Sequence, residues 1–235
     1  FKTLRATRQT VLIESADHDA DLVTYEPDEL HHVMRFALDC WQQMIDSQQY
    51  RSVLMYKNKG PLSGGSLVHP HMQIVGLEQE DGYAALTSAN FEGIAVWQQG
   101  RISVNISTEP IMGFFEVNVS APQGIAASDD ARDQAEADLF ADAIQVVLRY
   151  ILREHHGGRA ESYNLFFYHL AAGLLSRRCR VGWFRPTLWA IVWPRSMPRP
   201  RSISMQSVCA HAWSACIAKG SASRLWLLFA ITLRP

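Results

Sequence analysis

The chain has 235 residues, of which 48% are hydrophobic and 19% are charged, with a formal net charge of -1. This apolar share is too high, and the charge too low, for a disordered chain, and the charge balance excludes an overall basic surface for nucleic acid. Four cysteines without close spacing also argue against a disulfide scaffold and a zinc knuckle.

Strand-type and helix-type patterns alternate along the chain and predict a mixed α+β fold, an antiparallel sheet with helices packed on it. A first helix should begin at Pro27, because proline suits the first helical position and Asp28 and Glu29 suit the first turn. A second helix is predicted at 129–156, with the pair His155–His156 solvated at its end. The predicted strands are 10–14, 52–56, 66–77, 93–97, 102–106, 113–120 and 163–168.

The composition changes abruptly near the C-terminal end. All 23 acidic residues lie at or before Glu161, so the first 161 residues carry a net charge of -11 and the last 74 carry +10. We interpret residues 1–170 as one domain and 171–235 as an aberrant basic, Trp- and Arg-rich tail produced by a frameshift. In support, a two-nucleotide shift in one permitted back-translation of 173–213 restores acidic residues and an amphipathic helical period. The alternative is a real appendage that binds nucleic acid or a membrane through arginine and aromatic side chains.

The stretch from Asn58 to Gln73, NKGPLSGGSLVHPHMQ, carries the strongest chemical signal in the sequence. In a strand, side chains alternate between faces, so His69, His71 and Gln73 should project together. Glycines let backbone N–H groups approach phosphate oxygens, and an imidazole can attack phosphorus. The pattern therefore indicates phosphate chemistry; the alternative is a His-x-His pair that binds a surface metal or is satisfied in the core.

Three elements in register carry a resemblance to a known family: Asn58-Lys59-Gly60, Gly64-Gly65-Ser66 and His69-Pro70-His71-Met72-Gln73. They closely resemble the active-site motif of the galactose-1-phosphate uridylyltransferase branch of the histidine-triad superfamily. Upstream, Ile13-Glu14-Ser15-Ala16-Asp17-His18 is similar to the family's Glu-Ser-Pro-Asp-His turn, with Ala16 in place of proline. The resemblance covers roughly 10–169 and implies a histidine-triad-like antiparallel sheet.

The resemblance also implies a role for each matching residue. His71 would attack the α-phosphorus of a UDP-sugar and hold UMP covalently, so that UMP passes between sugar 1-phosphates in a ping-pong reaction. The amide of Gln73 would hold the phosphoryl oxygens, and an amide cannot act as an acid or base toward water. The implied phosphate-binding residues are Asn58, Gly60, Gly64, Gly65 and Ser66.

In the family, the counterparts of His18 and His69 bind a structural zinc together with a Cys-x-x-Cys pair near the N-terminus. This sequence lacks that pair, which argues against a complete zinc site in the chain. The chain also begins at Phe1 rather than at a methionine, and we interpret it as N-terminally truncated.

Two other functions stay open on the sequence alone. One is a histidine-triad type nucleotide hydrolase or phosphorylase, and the other is an inactive nucleotide-binding remnant. The expected ligands are a UDP-sugar and a sugar 1-phosphate, with no nucleic acid and no membrane as partners. A cytoplasmic location is expected, because no secretory signal and no spanning segment is visible. A homodimer is the expected assembly.

Overall fold

The computed structural model describes residues 8–65, 67–111, 115–122, 125, 130–169 and 177–182. Their secondary structure comprises strands and two helices, with short 3-10 turns at 88–91 and 155–157. In chain order the strands and helices are β1 (Arg8–Ile13), α1 (Pro27–Asp46), β2 (Ser52–Lys59), β3 (His71–Leu77), β4 (Gly93–Gln99), β5 (Ile102–Ser107), β6 (Glu116–Ala121), α2 (Ala131–Arg153), β7 (Tyr163–His169) and β8 (Arg177–Gly182).

The strands form one eight-stranded sheet in the order β1-β3-β2-β7-β8-β6-β5-β4. Every neighbouring pair is antiparallel. The predicted α+β class, an antiparallel sheet with packed helices, is confirmed. Within the ranges given above, neither helix is long and apolar enough to cross a membrane.

Both helices pack on one face of the sheet, and their apolar stripes form the main core with it. The α1 helix begins at Pro27, as predicted, and its buried stripe includes Leu30, Met34 and Trp41. Because side chains alternate along a strand, the residues next to the core-facing positions point to the opposite face. That opposite face carries His71 and Gln73 of β3.

Two strand boundaries differ from the prediction, both around the glycine-rich stretch. The β2 strand continues past residue 56, because residues 57–59 pair with β7, about a hundred positions later in the chain. The β3 strand begins at His71 rather than at residue 66. Pro70 has no N–H to donate to a ladder, although its carbonyl still accepts from the N–H of Glu14 at 3.1 Å.

The sheet also extends past the predicted domain boundary at residue 170. Strand β8 lies between β6 and β7 and so joins the two halves of the sheet. The remainder of the tail lies outside the described residues, and its origin in a frameshift stays a prediction.

The expectation that the His155–His156 pair is solvated is wrong for His155. This residue is buried, and its ring stacks on Phe115 with the ring centroids 4.1 Å apart. The helix ends at Arg153, so His155 lies in the following turn, where its ring contacts Phe115, the residue before β6.

Candidate active site

The imidazole of His71 is held in one tautomer by the backbone. Its Nδ1 lies 2.8 Å from the carbonyl oxygen of His69. A carbonyl oxygen can only accept, so Nδ1 carries the proton and Nε2 keeps a free electron pair. The residue is only 4% exposed. The arrangement leaves a fixed nucleophilic nitrogen at Nε2.

The amide of Gln73 is oriented toward that nitrogen by a tyrosine. The hydroxyl of Tyr56 donates to Oε1 of Gln73 at 3.0 Å, so the NH₂ group of the amide faces the other way. The Nε2 atoms of Gln73 and His71 lie 3.5 Å apart. Burial raises the pKa of Tyr56, which keeps its hydroxyl protonated as a donor. The Gln73 amide therefore presents N–H groups beside the nucleophile.

Sequence reasoning placed Gln73 correctly beside His71 but missed Tyr56. Tyr56 lies directly opposite Gln73 in the β2–β3 register. The signal that could have found it is the antiparallel pairing of the two strands that flank the glycine-rich stretch.

Replacing Tyr56 with phenylalanine tests this orientation. We expect turnover to fall by about 10-fold, which is the effect of losing one hydrogen bond. The Gln73 amide would then be free to turn its oxygen toward the substrate. The melting temperature should change little, since Tyr56 is partly exposed and phenylalanine keeps its ring. Steady-state kinetics measures the loss of turnover, and a thermal melt measures the change in melting temperature. Turnover equal to that of wild type would contradict the role of Tyr56 in orienting Gln73.

The glycine loop, residues 60–65, turns the chain between β2 and β3. Gly60 has φ +90°, and a Cβ there would lie 2.2 Å from the carbonyl oxygen of Glu161. No residue with a side chain fits that position without moving residues 161–162, which lead into β7. Gly64 also has a positive φ, of 82°, but has open space around it, and Gly65 packs on Asn58. Ser66, the remaining predicted phosphate ligand, lies outside the described residues.

Asn58, the predicted phosphate-binding amide, lies at the end of β2 beside this loop. Its Oδ1 accepts from Nδ2 of Asn164, a β7 residue, at 2.7 Å. Asn58 therefore lies beside Gly60, Gly64 and Gly65 at the turn after β2, and the role of these residues in binding phosphate stays a prediction.

His69 is separate from His71, contrary to the prediction that they project together. Since β3 begins only at His71, strand alternation does not extend to His69. Its Nε2 donates to the carbonyl of Ser15 at 2.8 Å, and its Nδ1 lies 3.0 Å from Nδ1 of His18. The structure thus pairs His69 with His18, the other residue that the resemblance implies for zinc.

This histidine pair has donor chemistry that suits a metal, but it provides only two ligands. Two nitrogens bound to a tetrahedral zinc lie about 3.3 Å apart, close to the spacing of the two Nδ1 atoms. The hydrogen bond from His69 Nε2 is also the kind that orients a ligating imidazole. However, no group of three or more His, Cys, Asp or Glu residues among those described could hold a metal. The described residues do not complete a four-ligand zinc site.

A buried charge cluster (Glu14, Asp21, Tyr25, Lys57 and Tyr163) lies on the helix-covered face of the sheet, behind the site. The Lys57 ammonium is 2.6 Å from Oε1 of Glu14 and 3.5 Å from Oδ1 of Asp21, and its side chain is 1% exposed. The hydroxyl of Tyr163 donates to Asp21 at 2.6 Å, and that of Tyr25 lies 3.5 Å from Glu14.

The cluster connects the three chain segments that carry the site. Glu14 and Asp21 bracket the loop with His18, Lys57 precedes Asn58, and Tyr163 precedes Asn164. Burial raises the pKa of Glu14, while the Lys57 charge opposes that effect. The strand predicted at 52–56 ends before Lys57, so sequence reasoning missed the cluster. The one available signal was an acidic residue, Glu14, at the end of an apolar strand.

Comparisons with known proteins agree with this fold. The sequence matches family models for the N-terminal and C-terminal domains of a domain of unknown function, DUF4931, over residues 1–80 and 83–181. A uridylyltransferase structure is 16% identical, with a TM-score of 0.64, over 91% of this chain and 76% of that one. The ADP-glucose phosphorylase of Arabidopsis thaliana, with bound ADP-glucose, is 14% identical, with a TM-score of 0.60, over 77% of this chain and 64% of that one.

These two similarities show that the chain shares the fold of those enzymes.

None of the curated protein sequences matches the chain. The crystal structure of a DUF4931 family protein from Bacillus cereus ATCC 10987 is 33% identical, with a TM-score of 0.72, and the match covers 90% of this chain and 91% of that one. At this identity and coverage, and with both domain models matched, the chain belongs to the DUF4931 family.

Proposed function

We propose that this protein is a nucleotidyltransferase that acts on nucleotide sugars through a covalent nucleotidyl-histidine on His71. The observation that carries the proposal is the fixed tautomer of His71, whose unprotonated Nε2 lies 3.5 Å from the Gln73 amide nitrogen. The resemblance of the glycine loop motif and the fold shared with a uridylyltransferase support the same chemistry.

The first step is a displacement at the α-phosphorus of the nucleotide sugar. The electron pair of His71 Nε2 forms the new N–P bond while the P–O bond to the β-phosphate breaks, and a sugar 1-phosphate leaves with that bond's electrons. The imidazole becomes positively charged in the adduct, and the hydrogen bond from Nδ1–H to the His69 carbonyl stabilises that charge. A phosphate leaving group needs no proton, so no general acid is required.

The second step reverses the first with a different acceptor. A second sugar 1-phosphate attacks the phosphorus, its oxygen forms the new P–O bond, and the N–P bond returns its electrons to His71. Gln73 can donate hydrogen bonds to the phosphoryl oxygens in both steps but cannot deprotonate water. The inability of Gln73 to deprotonate water limits hydrolysis, so the covalent intermediate persists until the acceptor binds.

The specific reaction that we propose is transfer of UMP between sugar 1-phosphates, with UDP-glucose as donor. Two alternatives differ in the acceptor. Inorganic phosphate as acceptor would make the protein a phosphorylase, like the structurally similar ADP-glucose phosphorylase, and water as acceptor would make it a hydrolase. A third alternative is an inactive nucleotide-binding remnant. The homodimer stays a prediction.

An exchange assay separates these possibilities. The full chain is incubated with UDP-glucose or ADP-glucose and labelled glucose 1-phosphate, with no other acceptor. Label passing into the nucleotide sugar supports covalent transfer, and nucleoside diphosphate formed on adding inorganic phosphate identifies a phosphorylase. Release of nucleoside monophosphate without exchange would identify a hydrolase, and no reaction with either donor would identify a remnant.

We further propose that the His18–His69 pair does not hold a tight structural zinc with the ligands described. Purified protein should carry well under one zinc per chain after dialysis against a chelator, and its melting temperature should not change on dialysis. Elemental analysis and a thermal melt check this, with His18→Ala as a control for metal bound elsewhere. Stoichiometric zinc that survives dialysis and is lost in His18→Ala would contradict it.

A further inference from the structure

We infer that Asn164 is a positioning residue for the phosphate site, which turns the Asn58 amide so that its N–H groups face the substrate. The inference rests on the proposed function for the identity of the ligand. It rests on hydrogen bonds between described residues for the orientation itself.

The orientation of the Asn164 amide is fixed by a backbone carbonyl. Its Nδ2 donates to the carbonyl oxygen of Ser63 at 2.9 Å. A carbonyl cannot donate, so the nitrogen of Asn164, and not its oxygen, must face the glycine loop. The same Nδ2 also donates to Oδ1 of Asn58 at 2.7 Å.

This second bond fixes Asn58 in turn. Because the Asn58 oxygen faces Asn164, its NH₂ group points away from Asn164. Asn58 as a whole is partly exposed, so we infer that this NH₂ group is open to a ligand. Two N–H donors then stand beside the glycine loop, where phosphate oxygens would be bound. With the opposite orientation, the Asn58 oxygen would repel them.

The two residues just before β7 hold the glycine loop at two further points. The Ser162 hydroxyl, which is fully buried, accepts from the backbone N–H of Leu62 at 2.9 Å. Gly60 lies so close to the Glu161 carbonyl that no Cβ fits between them. The loop is thus built against residues 161–164, which come from the second half of the chain.

The burial of Asn164 also has an energetic cost that packing alone does not explain. It is 6% exposed, and within the described part of the chain its Oδ1 has no hydrogen-bond partner. A buried acceptor without a partner destabilises the fold, and an apolar residue of similar size would avoid that penalty. The two donor bonds of Nδ2 are what an apolar residue could not supply.

Asn164→Asp tests the inference, because it keeps the shape and replaces the donor by an acceptor. The Asn58 amide should then turn its NH₂ toward the introduced carboxylate and present its oxygen to the ligand. The matched control is Asn118→Asp: Asn118 is also buried, and its Nδ2 donates to Asn105 at 2.8 Å, but it lies on β6, away from the glycine loop.

Two measurements are made on the full-length variants: binding of UMP by calorimetry between pH 5 and 8, and hydrogen exchange of residues 60–65. Relative to wild type, Asn164→Asp should bind UMP about 10- to 100-fold more weakly near pH 8. The deficit should shrink toward pH 5, where a protonated carboxyl regains a donor. Its loop should exchange faster than the loop of Asn118→Asp, which buries a carboxylate elsewhere and should keep the wild-type affinity for UMP.

Equal affinity and equal loop exchange in the two variants would overturn the inference. A wild-type protein that binds UMP but forms no adduct when it turns over UDP-glucose or ADP-glucose would refute the covalent step and leave the Asn164 comparison valid. If wild type binds no UMP, the proposed function fails, and loop exchange alone then decides whether Asn164 holds the loop: faster exchange in Asn164→Asp than in Asn118→Asp supports it, and equal exchange overturns it.

Discussion

Replacing His71 with asparagine should reduce turnover by about four orders of magnitude or more, the effect expected on losing a covalent nucleophile. Asparagine can still donate to the His69 carbonyl, as Nδ1 of the imidazole does. It has no nitrogen electron pair to attack phosphorus. The measurement is the rate of nucleotide-sugar consumption with a sugar 1-phosphate acceptor.

The melting temperature and the affinity for UMP control for structural damage in this variant. Both should stay near the wild-type values, because the binding amides of Asn58 and Gln73 are unchanged. Residual turnover above a few per cent of wild type would mean that His71 is not the nucleophile. Loss of turnover together with loss of folding would instead assign it a structural role.

The largest expected effect on stability is that of Lys57→Met. This change removes the only cation that contacts Glu14 and Asp21 in the described residues, and it leaves both carboxyl groups buried. Breaking a buried ion pair from one side destabilises a protein by about 3–5 kcal/mol. Chemical denaturation of wild type and variant measures the difference.

This loss of stability should depend on pH in a defined direction. Burial already raises the pKa of Glu14 in the folded protein, and removing Lys57 takes away the largest opposing effect. A carboxyl group whose pKa is higher in the folded state binds a proton more readily there. The stability of Lys57→Met should therefore recover as the pH falls toward the unfolded-state pKa and decrease as the pH rises.

Lys59→Met is the matched control, since Lys59 lies two positions later on the same strand but is partly exposed. It should change the free energy of unfolding by no more than about 0.5 kcal/mol, the usual range for a surface position. If the two variants were equally stable at neutral pH, the buried charge cluster would not support the site.

The sequence was sufficient to predict those parts of the fold and of the site that depend on local patterns. Pro27 and the acidic residues after it placed the start of α1, and strand alternation put His71 and Gln73 on one face. The glycine loop was visible because turns with positive φ require glycine. These features depend on residues within a few positions of each other.

The parts that were missed depend on pairing between distant segments. The extension of β2 needs β7, and the role of Lys57 needs Glu14 and Asp21 from the loop after β1. Tyr56 acts through one hydrogen bond to Gln73 on the neighbouring strand. Asn164 acts through two, to Asn58 on the neighbouring strand and to Ser63 in the glycine loop. His155 was predicted to be solvated because helix-end rules take no account of a turn that folds back onto Phe115.

The central claim is that Nε2 of His71 carries a nucleotidyl group during the reaction. The most direct measurement is mass spectrometry of the full chain after incubation with UDP-glucose or ADP-glucose without acceptor, followed by peptide mapping. We predict one nucleoside monophosphate per chain, located on His71, absent from His71→Asn and discharged by adding a sugar 1-phosphate. Turnover without any adduct, or an adduct on another residue, would contradict the account.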